Sequence, residues 1–140
     1  MNEHLIVRVI TKLLVPFILL FGLYVQMHGD FGPGGGFQAG VIFATAFIVY
    51  AIVFGVSRTI RVLPLNVLMG MVALGVILYA GVGFATIVAG GNFLGYGALD
   101  SHDPVHGQHL GIILVELGVG ITVAGVMLTI FLTFAERRRA

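Results

Sequence analysis

The sequence predicts an all-α integral membrane protein with four transmembrane helices and both termini in the cytoplasm. Three observations carry that reading. First, 59% of the 140 residues are hydrophobic and 9% are charged, with a mean hydropathy of +1.09. Water-soluble domains carry about 25% charged residues, and the six acidic and seven basic side chains here cannot cover a water-facing surface. Second, four stretches reach the roughly 20 apolar residues that a helix needs to cross a hydrocarbon core of about 30 Å. Third, the basic residues fall on one side of those stretches. Arg8 and Lys12 flank the start of the first, Arg58 and Arg61 lie between the second and third, and Arg137, Arg138 and Arg139 close the chain. The segments from His28 to Gly36 and from Ala89 to His109 contain neither Lys nor Arg. The positive-inside rule then places both ends of the chain inside.

Taken in order, the first span covers about residues 5–27. No small-residue cleavage site follows it, so it reads as a retained helix. Arg8 and Lys12 are four residues apart and can snorkel together to the inner interface. Pro16 removes one backbone N–H inside this span and predicts a kink. The second span covers about residues 37–56 and carries Gly36, Gly40 and Ala44, then Ala51 and Gly55, as a stripe of small residues. The third covers about 65–88, with Gly81 and Ala85 as its clearest small pair. The fourth covers about 110–134, with Gly118, Thr122, Gly125 and Thr129 along one face. Helices in lipid associate through close packing of small residues, so 21 glycines suit tightly packed spans.

Composition also narrows the function. The absence of cysteine rules out disulfides and thiolate chemistry. A net charge of +1 spread over short basic clusters implies no nucleic-acid surface. No nucleophile–base pair, nucleotide loop or redox ligand set stands out, so the chain is not expected to be an enzyme or to hold a metal or cofactor. The histidines 102, 106 and 109 with Asp103 match no sharp metal motif.

Two features carry chemistry. Glu116 lies well inside the fourth span, and an intramembrane carboxylate is by default a functional candidate. Held out of water, such a group can carry a proton near neutral pH. Asp103-Pro104 has the form of a helix N-cap followed by proline at the first position. A helix starting there puts His106, His109, Ile113, Glu116 and Gly120 on one stripe, a plausible proton or cation route because histidine titrates near neutrality. Solvated histidines and a structurally paired glutamate are the alternatives.

The second feature is the segment from Gly29 to Gly40, which lacks the Lys-Ser/Thr of a phosphate loop. Its three consecutive glycines allow positive φ and close backbone approach. The free N–H groups opening the second span could hold an anion or a partner's carboxylate.

The string Pro33, Gly34, Gly35, Gly36, Phe37, Gln38, Ala39, Gly40 resembles the signature of the B subunit of multi-subunit Na⁺/H⁺ antiporters of the Mrp or Mnh type. Glu116-Leu117-Gly118-Val119 resembles that family too, and the likeness covers the whole chain, residues 1–140, as one membrane domain. Asp30 departs from it, standing where a histidine is expected. The resemblance implies a small membrane subunit of a prokaryotic plasma-membrane antiporter complex that moves Na⁺ and H⁺. Its expected partners are other membrane subunits and the bilayer, with a role in assembly and in lining an ion path. The alternative host is a hydrogenase-type, complex I-like assembly, in which the chain would be structural.

Overall fold

The structure, a computed structural model, describes residues 4–137. The terminal Arg138, Arg139 and Ala140, on which part of the orientation argument rests, lie outside the described residues. Four long helices account for the predicted spans: α1 (Leu5–His28), α2 (Gly36–Phe54), α4 (Leu65–Val88) and α5 (Pro104–Arg137). A short helix, α3 (Val56–Val62), separates the second span from the third, and a 3₁₀ turn (Tyr96–Leu99) lies in the connection before α5.

The chain's own punctuation sets these boundaries. α1 runs unbroken through Pro16, because loss of one N–H does not end a helix supported by its neighbours. Gly55, at φ 96°, closes α2 and donates its N–H to Ala51 O at 2.9 Å. The chain turns there at once into α3, where a loop was expected. Thr59 in α3 is fully buried and its hydroxyl donates to Gly55 O at 3.4 Å, whereas Arg58, Arg61 and Val62 face outward. Pro64 opens α4, and Gly90, at φ 87°, follows its end. Asp103 caps α5: its Oδ1 accepts from Val105 N at 3.0 Å and His106 N at 3.2 Å, with Pro104 in the first turn. The helix that begins there has 34 residues, about 51 Å at 1.5 Å per residue.

α5 lies between α2 and α4, and α1 packs on the far side of α2. Two kinds of contact hold this row together. Toward the end that holds the chain termini, Ala44, Val56, Leu68, Leu128 and Leu132 form a buried apolar cluster. Toward the opposite end, backbone meets backbone. A Cβ added to Gly40 would lie 2.7 Å from Gly120 O, and one added to Gly118 would lie 2.9 Å from Gly75 O. The two predicted stripes therefore each have a use. Gly36 and Gly40 of α2 meet α5 at Glu116, Gly120 and Val123, and Gly118, Thr122 and Gly125 of α5 meet α4. The Thr122 and Thr129 hydroxyls donate back to Gly118 O and Gly125 O at 2.8 and 2.7 Å, so neither presents an unpaired group to a neighbouring helix.

On the third span the expected pair is not the one used. Gly81 has nothing within 4 Å of where a side chain would begin, and Ala85 is exposed with it beside an open groove. Gly75 makes the close approach instead, on a face with the buried Leu68, Val82 and Thr86. Six residues amount to about 240° of rotation, so Gly81 cannot share that face. The sequence shows small residues but not which side of the helix is covered.

This contrast is testable. Gly75→Val forces a branched side chain into the α4–α5 contact, and overpacking of this kind costs about 1–3 kcal/mol. Gly81→Leu adds a side chain to open space and is expected to change stability by less than about 0.5 kcal/mol. Thermal unfolding of the detergent-solubilised protein compares the two; equal effects would remove the special role of Gly75.

Candidate functional site

The two features picked out in the sequence meet at the end of the bundle opposite the chain termini. After α1 ends, Phe31 N–H and Gly32 N–H donate to His28 O at 3.0 and 3.1 Å, and Gly35 N–H reaches back to Val25 O at 3.1 Å. The glycine segment is thereby folded onto the end of α1 and not left as a free span. Gly35 has φ 110°, a conformation that L side chains resist. Pro33, Phe37 and Gln38 face outward, Gly34 is half-buried, and Gly35, Gly36 and Gly40 are buried.

What those glycines make room for is Glu116. A Cβ on Gly29 would lie 2.5 and 2.6 Å from its two carboxylate oxygens, and one on Gly35 would lie 2.8 Å from Oε1. Gly36 packs against the backbone of Glu116 itself. The carboxylate thus sits beside the N-terminus of α2, whose first N–H groups have no intrahelical acceptor and whose dipole favours negative charge. Glu116 is half-buried, and among the described residues no hydrogen bond or ion pair engages its carboxylate. One turn deeper, Gln26 of α1 brings its Oε1 to 2.7 Å from where a Gly120 side chain would begin.

Only one of the two candidate histidines joins this group. His109 Nδ1 bonds to Asp30 Oδ2, which ties the glycine segment to α5. The Asp30 side chain is 11% exposed and that of His109 is 47% exposed, so the imidazole stands at the water boundary and the carboxylate behind it. Asp30 also follows Gly29 in the chain, the residue that lies against the Glu116 carboxylate. His106, expected on the same line, is held at the rim: its Nδ1 lies 3.0 Å from Asp100 Oδ2 and its side chain is 62% exposed.

Asp100 also accepts from the backbone N–H groups of His102 and Asp103 at 3.0 and 3.2 Å. Those two bonds, the Asp103 one foremost, and the His106 side chain hold the Asp100 carboxyl below its ordinary range. A lowered value means that this support for the rim is complete above the ordinary carboxylate range. It fades only as pH falls through the lowered value.

The rim histidines do not converge. His106 and His109 face different carboxylates, and Asp103 is committed to the α5 cap. Among the described residues no three His, Asp or Glu side chains are placed to hold a metal ion. The sequence reading named Asp30 only as a departure from the family pattern, without its partner, and missed Gln26. Asp30 left one signal, an acidic residue in an outer segment without any basic residue; Gln26 left none beyond its polarity within an apolar run.

The chain is similar to known proteins along nearly its whole length. Residues 6–129 match the family described as a domain related to the MnhB subunit of Na⁺/H⁺ antiporter. A Staphylococcus haemolyticus protein named "Putative antiporter subunit mnhB2" is 36% identical over 136 residues, 96% of each chain. Its Staphylococcus aureus (strain Newman) namesake is 34% identical over 139 residues, 98% of each chain. By the extent of both matches, the chain belongs to the MnhB-related family of Na⁺/H⁺ antiporter subunits.

Proposed function

We propose that the chain is a small membrane subunit of a multi-subunit Na⁺/H⁺ antiporter complex in a prokaryotic plasma membrane. In this reading both termini are cytoplasmic, the chain helps to hold its neighbours together, and Glu116 contributes to a proton or cation path. The observation that carries it is the closure of the glycine segment over an intramembrane carboxylate that has no partner of its own among the described residues. A charge at that depth is costly, so it is retained where it exchanges protons or cations, or where a neighbouring subunit pairs with it.

Support for neighbours comes from the outer faces of the row. Phe17 and Leu20 on α1, and Ile77 and Phe84 on α4, are all more than 60% exposed. On α5 itself Ile130 and Phe134 are exposed as well, so further subunits or lipid must cover α1, α4 and the open side of α5.

Orientation is checked by labelling. Cysteines at Phe31 and Ser101 are expected to react with an impermeant reagent from outside the cell, and one at Val62 only from inside. Val62 is 62% exposed and serves this purpose where the buried Thr59 does not. Reaction at Val62 from outside would reverse the orientation.

The ion-path role is checked at Glu116. Glu116→Gln keeps volume and most hydrogen bonding but cannot titrate. It is expected to assemble with its neighbours yet to lower antiport, or shift its pH profile, in vesicles normalised to assembled complex. Glu116→Asp is expected to retain part of the rate. If Glu116 instead pairs with a buried basic group next door, Glu116→Gln strands that charge at a cost of about 3–5 kcal/mol and assembly fails. Wild-type rates at every pH would remove Glu116 from the path.

A further inference from the structure

The outer end of the bundle holds a graded series of polar groups. His109 is nearly half exposed, the Asp30 side chain bonded to it is 11% exposed, and Glu116 lies beyond, against Gly29, the residue next to Asp30. His109 and Glu116 are seven residues apart on α5, about 10 Å along the axis, too far for direct transfer. Asp30 comes from another element: it is bonded to His109, and it follows Gly29, which lies against the Glu116 carboxylate. Gln26 follows at the level of Gly120.

Past Gln26 the character changes. A cavity of about 300 Å³ opens among α1, α2, α4 and α5, lined by Leu23, Phe43, Met71, Ile121 and Leu128, with Gln26 at its edge. Its other lining side chains are apolar, so among the described residues the polar series does not continue along it.

We propose that Asp30 is a relay residue that passes protons between His109 at the outer surface and Glu116 within the membrane. The chain then forms the outer half of a proton path that ends at Gln26 and continues in a neighbouring subunit. This rests on the ion-path reading of Glu116 given above. In one passage, water protonates the neutral His109 ring at its free nitrogen, and the proton on Nδ1 moves to Asp30 Oδ2. The neutral Asp30 carboxyl turns and gives that proton to the Glu116 carboxylate. Each group returns to its starting charge when Glu116 passes the proton on; the His109 ring regains its Nδ1 proton by exchanging with water, which takes up the one on its other nitrogen, and no redox change is involved. The other titratable groups at this end include His28 from α1 with Tyr24 stacked on it, Tyr96 against Gly111 of α5, and the rim residues His102, Asp103 and Asp100, the last already paired with His106. None of them is seen to connect His109 to Glu116.

The test uses membrane vesicles holding the assembled complex, with Na⁺-driven proton movement followed from neutral to alkaline pH. Asp30→Asn is expected to assemble, to lose most of the antiport rate and to shift the pH profile, and Asp30→Glu to recover part of both. His109→Gln keeps a donor toward Asp30 but takes up no proton, and it is expected to reproduce the Asp30→Asn loss. Because His109 lies at the surface, that variant decides the matter if Asp30→Asn fails to assemble. Wild-type rates and pH profile in His109→Gln or in assembled Asp30→Asn, with Glu116→Gln still impaired, would overturn the relay and leave Glu116 in the path. Wild-type behaviour of Glu116→Gln as well would overturn both.

Discussion

The contact on which everything else depends is backbone against backbone along α5. Inside a bilayer, apolar side chains gain little from leaving lipid for protein, so helices hold together through van der Waals contact at short range. α5 achieves that on two sides at once, through Gly120 toward Gly40 of α2 and through Gly118 toward Gly75 of α4. A single methyl group at Gly40, Gly75 or Gly118 would push the axes apart. The leucine cluster at the inner end is a different kind of joint, made of side chains that can repack around a change.

The same close approach builds the site. Glu116 belongs to the α5 face that meets α2, so its carboxylate would be pressed into a neighbouring side chain if Gly29 and Gly35 carried one. The glycines therefore serve two ends in one place. They let the helices touch, and they leave just enough room for an ionisable group where they do. The helix N-terminus beside it offers a favourable field without a formal positive charge.

The four spans, the α5 cap and the stripes of α2 and α5 were legible in the sequence, because length, hydropathy and spacing follow directly from helix geometry. The small-residue face of α4 was not. Gly81 and Gly75 look alike in one dimension, and only the neighbour's position separates them. At the site, His109 and Glu116 were legible as a stripe on one helix. His106 satisfied the same spacing, but Asp100, six residues earlier in an irregular connection, holds it at the rim. Asp30 was invisible as a partner because it lies 79 positions from His109 in the chain. Helical periodicity carries no information across that distance.

The length of α5 has a mechanical consequence. At about 51 Å it exceeds a hydrocarbon core of about 30 Å, and both of its ends are polar. The outer end carries His106 and His109 and the inner end Glu136 and Arg137. A helix finished in this way resists sliding along the membrane normal, because either displacement would drag polar groups into oil. It answers a thicker or thinner bilayer by leaning. Since its contacts with α2 and α4 have no slack at the glycines, those helices lean with it. The row therefore behaves as a stiff plate whose inclination, more than its internal shape, registers the membrane around it.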